Sequence, residues 1–592
     1  MFEQFSKSYD FTSLTVDELE KLSDEIAVFL ASKTRYEVDT IIENINVLET
    51  TLALHHVFDL NHDNIIFDGG KQVMVHKILT GRSEDLLLRN SGSMYLDDQN
   101  PMDRYSGGKP GEGLGVALAY AIEHPDVNNV IVLNDYALNY GITYESLVQI
   151  SRFKPNLTII LIDEQQSLLR HYSSMDALIK SIRISKTYTG LKKDMKSLLD
   201  SNPISRPILA TLTKIRDAVK ETVLEPTIFK QFGVDYQGPM DGQNLKELIR
   251  VFELSKKYKG PHVIHVQTRL KNKKQRKLEF PTFKTDHDRA ENYHTYLEAI
   301  DYQLTDIAQD DPDLYVLADT YKLKDYLPTF ALTRPDHFIA TSGSTQALVA
   351  IAHGLVQEGK HVIISIHASQ VDGVVLQLRN QFSIKQCPIT IIVNDSGLSP
   401  EGDTYRQGIF DLGVFSNLAH FKVYMGKSIV DTISILEQVI QEPQISVLRV
   451  PSGLEYVAPE TALIPVRGWH IENDFSKEST GVILSFGPSI HSLKQRIDAN
   501  QLDLGLINCS EILSVDHDIL ERIIAYKLKI VVYDVESTKS VLYQNVIQNL
   551  HQLKADNECI NLHVSCLHLN KTSKDAKSSQ KIHINNVFDY FQ

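Results

Sequence analysis

NVIVLND at residues 129–135 and LTIILID at 157–163 flank a stretch of helix length. Neither run alternates apolar with polar residues, so a strand made from either is covered on both faces. The same rhythm returns in PHVIHVQT (261–268), HVIISIH (361–367), PITIIVND (388–395), GVILSFG (481–487) and KIVVYDV (529–535), with helical patterns between them. Continuous apolar strands separated by helices predict α/β architecture, with mainly parallel sheets covered by helices. Ahead of the first run, Thr15-Val-Asp-Glu18 has capping-box spacing, and LEKLSDEIAVFLASK after it spaces apolar residues as a helix does.

The 592 residues, at about 100–200 per domain, predict three or four domains. With 60 basic and 75 acidic side chains the net charge is −15, which argues against a general nucleic-acid coat. Four cysteines (Cys387, Cys509, Cys559, Cys566) in so long a chain do not make a disulfide framework. The start MFEQFSKSYDF lacks a basic segment followed by an apolar one, and a cytoplasmic protein is expected. Runs such as Leu157–Ile162 and Ile530–Tyr533 fall far short of the ~18 residues of a membrane span.

Two stretches interrupt the alternation and read as linkers. Thr268–Lys277 (TRLKNKKQRK) carries six basic residues in ten, and PSGLEYVAPETALIPVRGW (451–469) is interrupted by Pro and Gly. They divide the chain into about 1–288, 289–460 and 465–592. No solenoid period is visible.

The loop Gly107–Gly115 (GGKPGEGLG) runs into VALAYAIEH, so a glycine-rich turn feeds a helix start where free amides favour an anion. Its glycine spacing is not that of a dinucleotide fingerprint. Met425–Ser428 (MGKS) ends like a P-loop, but Phe421 stands where the first glycine belongs. Cys559, His563, Cys566 and His568 suggest zinc, although alternation along NLHVSCLHL turns His563 away from the last two. Common hydrolase motifs are absent. Asp135 closes one apolar strand and Glu164 follows the next, at the strand ends where open α/β sheets bind ligands. Two such carboxylates suit Mg²⁺ against a diphosphate, and they equally suit ordinary strand capping.

ETTLALHHVF (49–58), DGGKQVMVHKILTGR (68–82), FGVDYQGPMDG (232–242), KGPHVIHVQT (259–268) and GIFDL (408–412) occur in that order. Through them the chain resembles the 1-deoxy-D-xylulose-5-phosphate synthases, thiamine-diphosphate enzymes of the transketolase superfamily. The resemblance implies three α/β domains: diphosphate-binding (1–288), pyrimidine-binding (289–460) and transketolase C-terminal (465–592). It also implies a decarboxylating transferase of isoprenoid and thiamine-precursor synthesis, joining pyruvate to glyceraldehyde 3-phosphate with thiamine diphosphate and Mg²⁺.

The functional positions diverge. Where the family has Gly-Asp-Gly and a following Asn, this chain has Asn134-Asp135-Tyr136 and Glu164. A phenol at Tyr136 occupies space that glycine leaves to phosphate. Thr345 stands at the glutamate that activates the cofactor, and no glutamate occurs anywhere in Ile339–Leu355. A threonine hydroxyl cannot supply the acid–base help, worth ~10²–10⁴-fold, that the glutamate gives. Family histidine positions hold Thr40, Lys71, Lys109 and Arg406; the aromatic position holds Gln370, and arginine positions hold Gly373 and Ser452.

The leading expectation is a degenerate paralogue that has lost thiamine catalysis and serves in binding or regulation. It is expected to be a homodimer with neither nucleic-acid nor membrane partners. Asp135, Tyr136, Glu164 and Lys109 mark the remnant cofactor site, with Asp135 and Glu164 as candidate Mg²⁺ ligands. Lys71, His76, Lys77 and Arg82 are candidates for holding an anionic metabolite. An active synthase and a scaffold that partners an active relative are the competing readings.

Overall fold

The structure is a computed structural model. It describes residues 11–34, 38–69, 73–86, 96, 100–105, 107–163, 228–268, 293–319, 327–341, 343–398, 407–457, 468–563 and 587–591. These fall into two compact units that divide near residue 281.

The first unit is built on five parallel strands, β1 (Asn64–Phe67), β2 (Asn129–Asn134), β3 (Leu157–Asp163), β4 (Asp235–Asp241) and β5 (His262–Gln267), in the order β1-β2-β3-β5-β4. Successive strand residues point to opposite faces. Phe67, Val132, Ile160 and Val266 therefore pack with the helices Val16–Lys33, Leu48–Val57 and Leu245–Ser255. Ile66, Ile131, Leu161 and Val263 face the helices Glu112–Glu123 and Gly141–Phe153. The opening helix begins with a capping box: Thr15 Oγ1 accepts from Glu18 N, and Thr15 N donates to the Glu18 carboxylate.

The second unit holds two sheets. Six parallel strands, β7 (Leu314–Asp319), β8 (Phe338–Thr341), β9 (His361–His367), β10 (Ile389–Ser396), β11 (Phe421–Met425) and β12 (Ile445–Pro451), run in the order β11-β12-β10-β9-β7-β8. A ribbon pairs β6 (Tyr293–Thr295) with β13 (Leu454–Tyr456), so part of the expected second linker is strand. The other sheet comprises β14 (Trp469–Asn473), β15 (Gly481–Ser485), β16 (Leu504–Cys509), β17 (Lys529–Asp534) and β18 (Cys559–His563), ordered β14-β16-β15-β17-β18 with only β14 antiparallel among them. Val393, Met425 and Val447 share one core with Trp469, Phe486 and Ile507, joining the two sheets.

Buried charge marks that junction. Arg449, on β12 and fully buried, donates through Nε and Nη2 to Asp411 at 2.8 and 2.9 Å, and through Nη2 to the carbonyls of Gly408 and Glu536. Asp534, at the end of β17, accepts from Ser537 Oγ and Glu536 N. Among the described residues no helix is long and apolar enough to cross a membrane.

Candidate functional site at the strand ends

At the end of β1, Asp68 turns its carboxylate onto the start of the helix Glu112–Glu123. Oδ2 accepts from Gly111 N at 2.7 Å, and Oδ1 from Gly113 N at 2.8 Å. Gly111 has φ +89°, and a side chain at Gly113 would meet Asp68 Oδ1 at 2.8 Å, so both glycines are required by this approach. The anion-binding expectation for Gly107–Gly115 is thereby corrected: these helix-start amides already carry an internal carboxyl. Burial pushes Asp68 up to about 7, against the opposing pull of the two amides.

β2 ends in Asn134, and Asp135 opens the short turn Asp135–Asn139 half-buried. Tyr136 folds from this end towards β1. Its Oη accepts from Asn134 Nδ2 at 2.9 Å and lies 3.2 Å from where a Cβ on Gly69 would stand. The phenol thus spans the ends of the two neighbouring strands. Lys109 is exposed in the turn ahead of Gly111. Glu164, Lys71 and Arg406 lie outside the described residues, as do Cys566 and His568. Among the described residues no three His, Cys, Asp or Glu side chains gather as a metal set.

His76, Lys77 and Arg82 do not form an open cationic site. His76 is buried between His55, whose Nε2 is 3.0 Å from its Nδ1, and Asp103, whose Oδ1 is 3.0 Å from its Nε2. Arg82 closes on the same carboxylate, with Nη1 2.5 Å from Oδ2 and Nη2 2.7 Å from Oδ1. Desolvation lowers the pKa of both histidines, which favours their neutral forms. Lys77 is buried as well. A guanidinium already neutralised by Asp103 has little left for a metabolite anion.

In the second unit Thr345 opens the helix Thr345–Gln357, and its hydroxyl donates to Asp319 Oδ2 at 2.6 Å. Asp319 ends β7, and its Oδ1 accepts from Gly343 N at 2.8 Å. Gln370 and Gly373 lie on the turn Ala368–Val374, and Ser452 is exposed between β12 and β13. Thr40 is half-buried on the helix Val38–Asn46 of the first unit. Lys427 of the P-loop-like MGKS pairs with Glu472, while Ser428 caps the following helix.

Asp68, Asp103 and Asp319 are the working carboxyls that sequence reasoning passed over. Asp68 and Asp319 sit at strand ends, the same signal that singled out Asp135.

Residues 2–268 match the N-terminal family model of 1-deoxy-D-xylulose-5-phosphate synthase. The synthase of Clostridium acetobutylicum is 26% identical over 575 residues, 93% of each chain. That of Clostridium tetani is 26% identical over 571 residues, 92% of this chain and 90% of the relative. Among solved structures, transketolase from Campylobacter jejuni aligns over 98% of this chain and 99% of its own, at 12% identity and a TM-score of 0.41. Along nearly its whole length, then, the chain is similar to the 1-deoxy-D-xylulose-5-phosphate synthases.

Proposed function

We propose that this synthase-like protein has given up thiamine-diphosphate catalysis and works as a binding or regulatory member of its family, in the cytoplasm and as a homodimer. One observation carries the reading. The position that needs a proton-trading glutamate holds Thr345, whose hydroxyl is committed to Asp319 at 2.6 Å. A hydroxyl so placed neither ionises near neutral pH nor donates a proton to a ring nitrogen.

The residues present do not fit the cofactor. Tyr136 fills the strand-end space that a diphosphate needs beside Asp135. The amides of Gly111 and Gly113 are held by Asp68. The competing reading, an active synthase, draws on the retained Asp135 and on Asp319 as a carboxyl behind Thr345.

Thermal unfolding with and without thiamine diphosphate plus Mg²⁺ tests the proposal. A ligand at 100 times its dissociation constant stabilises the native state by ~2.7 kcal/mol. No shift at millimolar cofactor is expected, together with no product from pyruvate and glyceraldehyde 3-phosphate. A saturable upward shift with turnover overturns the proposal.

A further inference from the structure

β9 and β10 are neighbours in the six-stranded sheet, with His367 in register with Asn394. Just beyond that pair β10 leaves its regular pairing, between Asn394 and Ser396. The residue displaced from the ladder, Asp395, sits in the left-handed region at φ +54°. A bulge of this kind bends the strand and re-aims one side chain, and aspartate tolerates the left-handed backbone better than most residues. The backbone is fixed in that shape. Gly397 and Gly408 exchange both of their amide hydrogen bonds, and a side chain at Gly408 would run into the Asp395 carbonyl and Ala368.

The re-aimed carboxylate meets a histidine. Asp395 Oδ2 is 3.1 Å from His367 Nε2, and His367 Nδ1 is 2.8 Å from Ser369 Oγ. Ser369 N also donates to Nδ1, at 3.1 Å. A backbone N–H can only donate, so Nδ1 is the unprotonated nitrogen and Nε2 carries the proton that Asp395 accepts. The single lone pair of Nδ1 is shared between the Ser369 N–H and the Ser369 hydroxyl, and taking the hydroxyl proton displaces the N–H contact. His367 is buried whereas Ser369 is half-exposed, which shields the base and leaves the hydroxyl within reach of a substrate.

The geometry points to a second chemistry in this protein: Ser369 as nucleophile, His367 as its general base and Asp395 as the positioning residue, hydrolysing an uncharged carboxylic ester. Such constellations are recognised by role and geometry, not by chain order. Here the ring is used with Nδ1 towards the serine. An uncharged ester is the class indicated, because Asp372, exposed on the same turn, repels an acyl anion.

The step balances without a redox partner. Ser369 Oγ bonds to the ester carbonyl carbon as its proton passes to His367 Nδ1. The tetrahedral centre then breaks its bond to the alcohol oxygen, and the alcohol leaves with that proton. Water, deprotonated by the same nitrogen, cleaves the seryl ester; the acid departs and the proton returns to Ser369. None of this rests on the fate of the thiamine site.

The test uses the full chain without cofactor, p-nitrophenyl butyrate as the ester and a fluorophosphonate as the covalent trap. The expected results are an adduct on the Ser369 peptide, and ester turnover that Ser369→Ala and His367→Gln both abolish. Asp395→Asn should slow labelling by about 10²–10⁴-fold. It should also move the acid limb of the labelling profile to lower pH, since the imidazolium loses its carboxylate; a purely structural aspartate would not shift that limb. Should Ser369→Ala fail to fold, Ser369→Cys decides. The thiol it introduces should react with iodoacetamide faster than Cys387, and should lose that advantage when His367→Gln is added. The proposal is overturned by absence of an adduct on Ser369, by equal turnover in wild type and Ser369→Ala, or by a thiol reactivity in Ser369→Cys that is indifferent to His367.

Discussion

Replacing Glu536 by glutamine should make the second unit more stable, and increasingly so as the pH rises. Glu536, Asp534 and Asp411 surround Arg449, so three carboxyls face one guanidinium in a buried site. Burial is the larger influence and pushes Glu536 from 4.5 up to about 7, with Arg449 pulling the other way. Asp534 is pushed to about 6 for the same reason. The sign follows from linkage. Below about pH 4.5 Glu536 is protonated in both folded and unfolded chains and the pH has no leverage. Between there and about pH 7 the folded state holds the proton that the unfolded state has lost, so stability falls as the pH rises and levels off above 7. At 1.36 kcal/mol per pH unit, the rise of about 2.5 units amounts to about 3 kcal/mol at pH 8. Glutamine keeps the shape and never ionises. Glu536→Gln should therefore match wild type near pH 4.5 and exceed it by about 3 kcal/mol at pH 8. Because Asp534 and Glu536 titrate together, the gain belongs to the pair. Thermal unfolding followed by calorimetry at both pH values reads it. The second unit spans Thr282–Gln592; at ~2.1 cal/mol/K per residue each kcal/mol moves its midpoint by about 1.5 °C, so a rise of about 4–5 °C is expected at pH 8. An unchanged or lower midpoint there would refute the reasoning, because it would mean that Arg449 holds Glu536 ionised at no net cost.

Two further substitutions probe the polar contacts on which the candidate site is built. Asp103→Ala strips Arg82 and His76 of their shared carboxylate and should cost the first unit about 3–5 kcal/mol, read as an earlier urea transition; a loss below 1 kcal/mol would show that the network is incidental. Thr345→Val keeps the shape but removes the donor to Asp319, and should cost about 1–3 kcal/mol by the same measurement, with no gain in thiamine-diphosphate binding.

How much of this was legible in the sequence depended on distance along the chain. LTIILID and HVIISIH coincide with β3 and β9, because a strand buried on both faces is written locally as an unbroken apolar run. Thr15 and Glu18 were equally readable, being three residues apart on one turn. β4, DYQGPMD, left no such trace: it is an edge strand with mostly exposed or half-exposed residues. β12 hides its character behind Arg449, a charge made tolerable inside by distant partners such as Asp411, which lies 38 residues earlier. The same limit governs the site. Asp68 reaches Gly111 across 43 residues, Thr345 reaches Asp319 across 26, and His367 reaches Asp395 across 28. Each partner is chosen by strand order and by a bulge, and neither is encoded in hydrophobic periodicity.

The helix that begins beyond Gly111 is finished by its own chain, since Asp68 meets its first amides before any visitor arrives. A fold that must wait for cargo to close such a start is fragile while the cargo is scarce, and its survival tracks supply. This helix needs no delivery. Its first amides are satisfied whether or not any ligand is bound, so this helix start adds nothing to a dependence of folding on ligand supply.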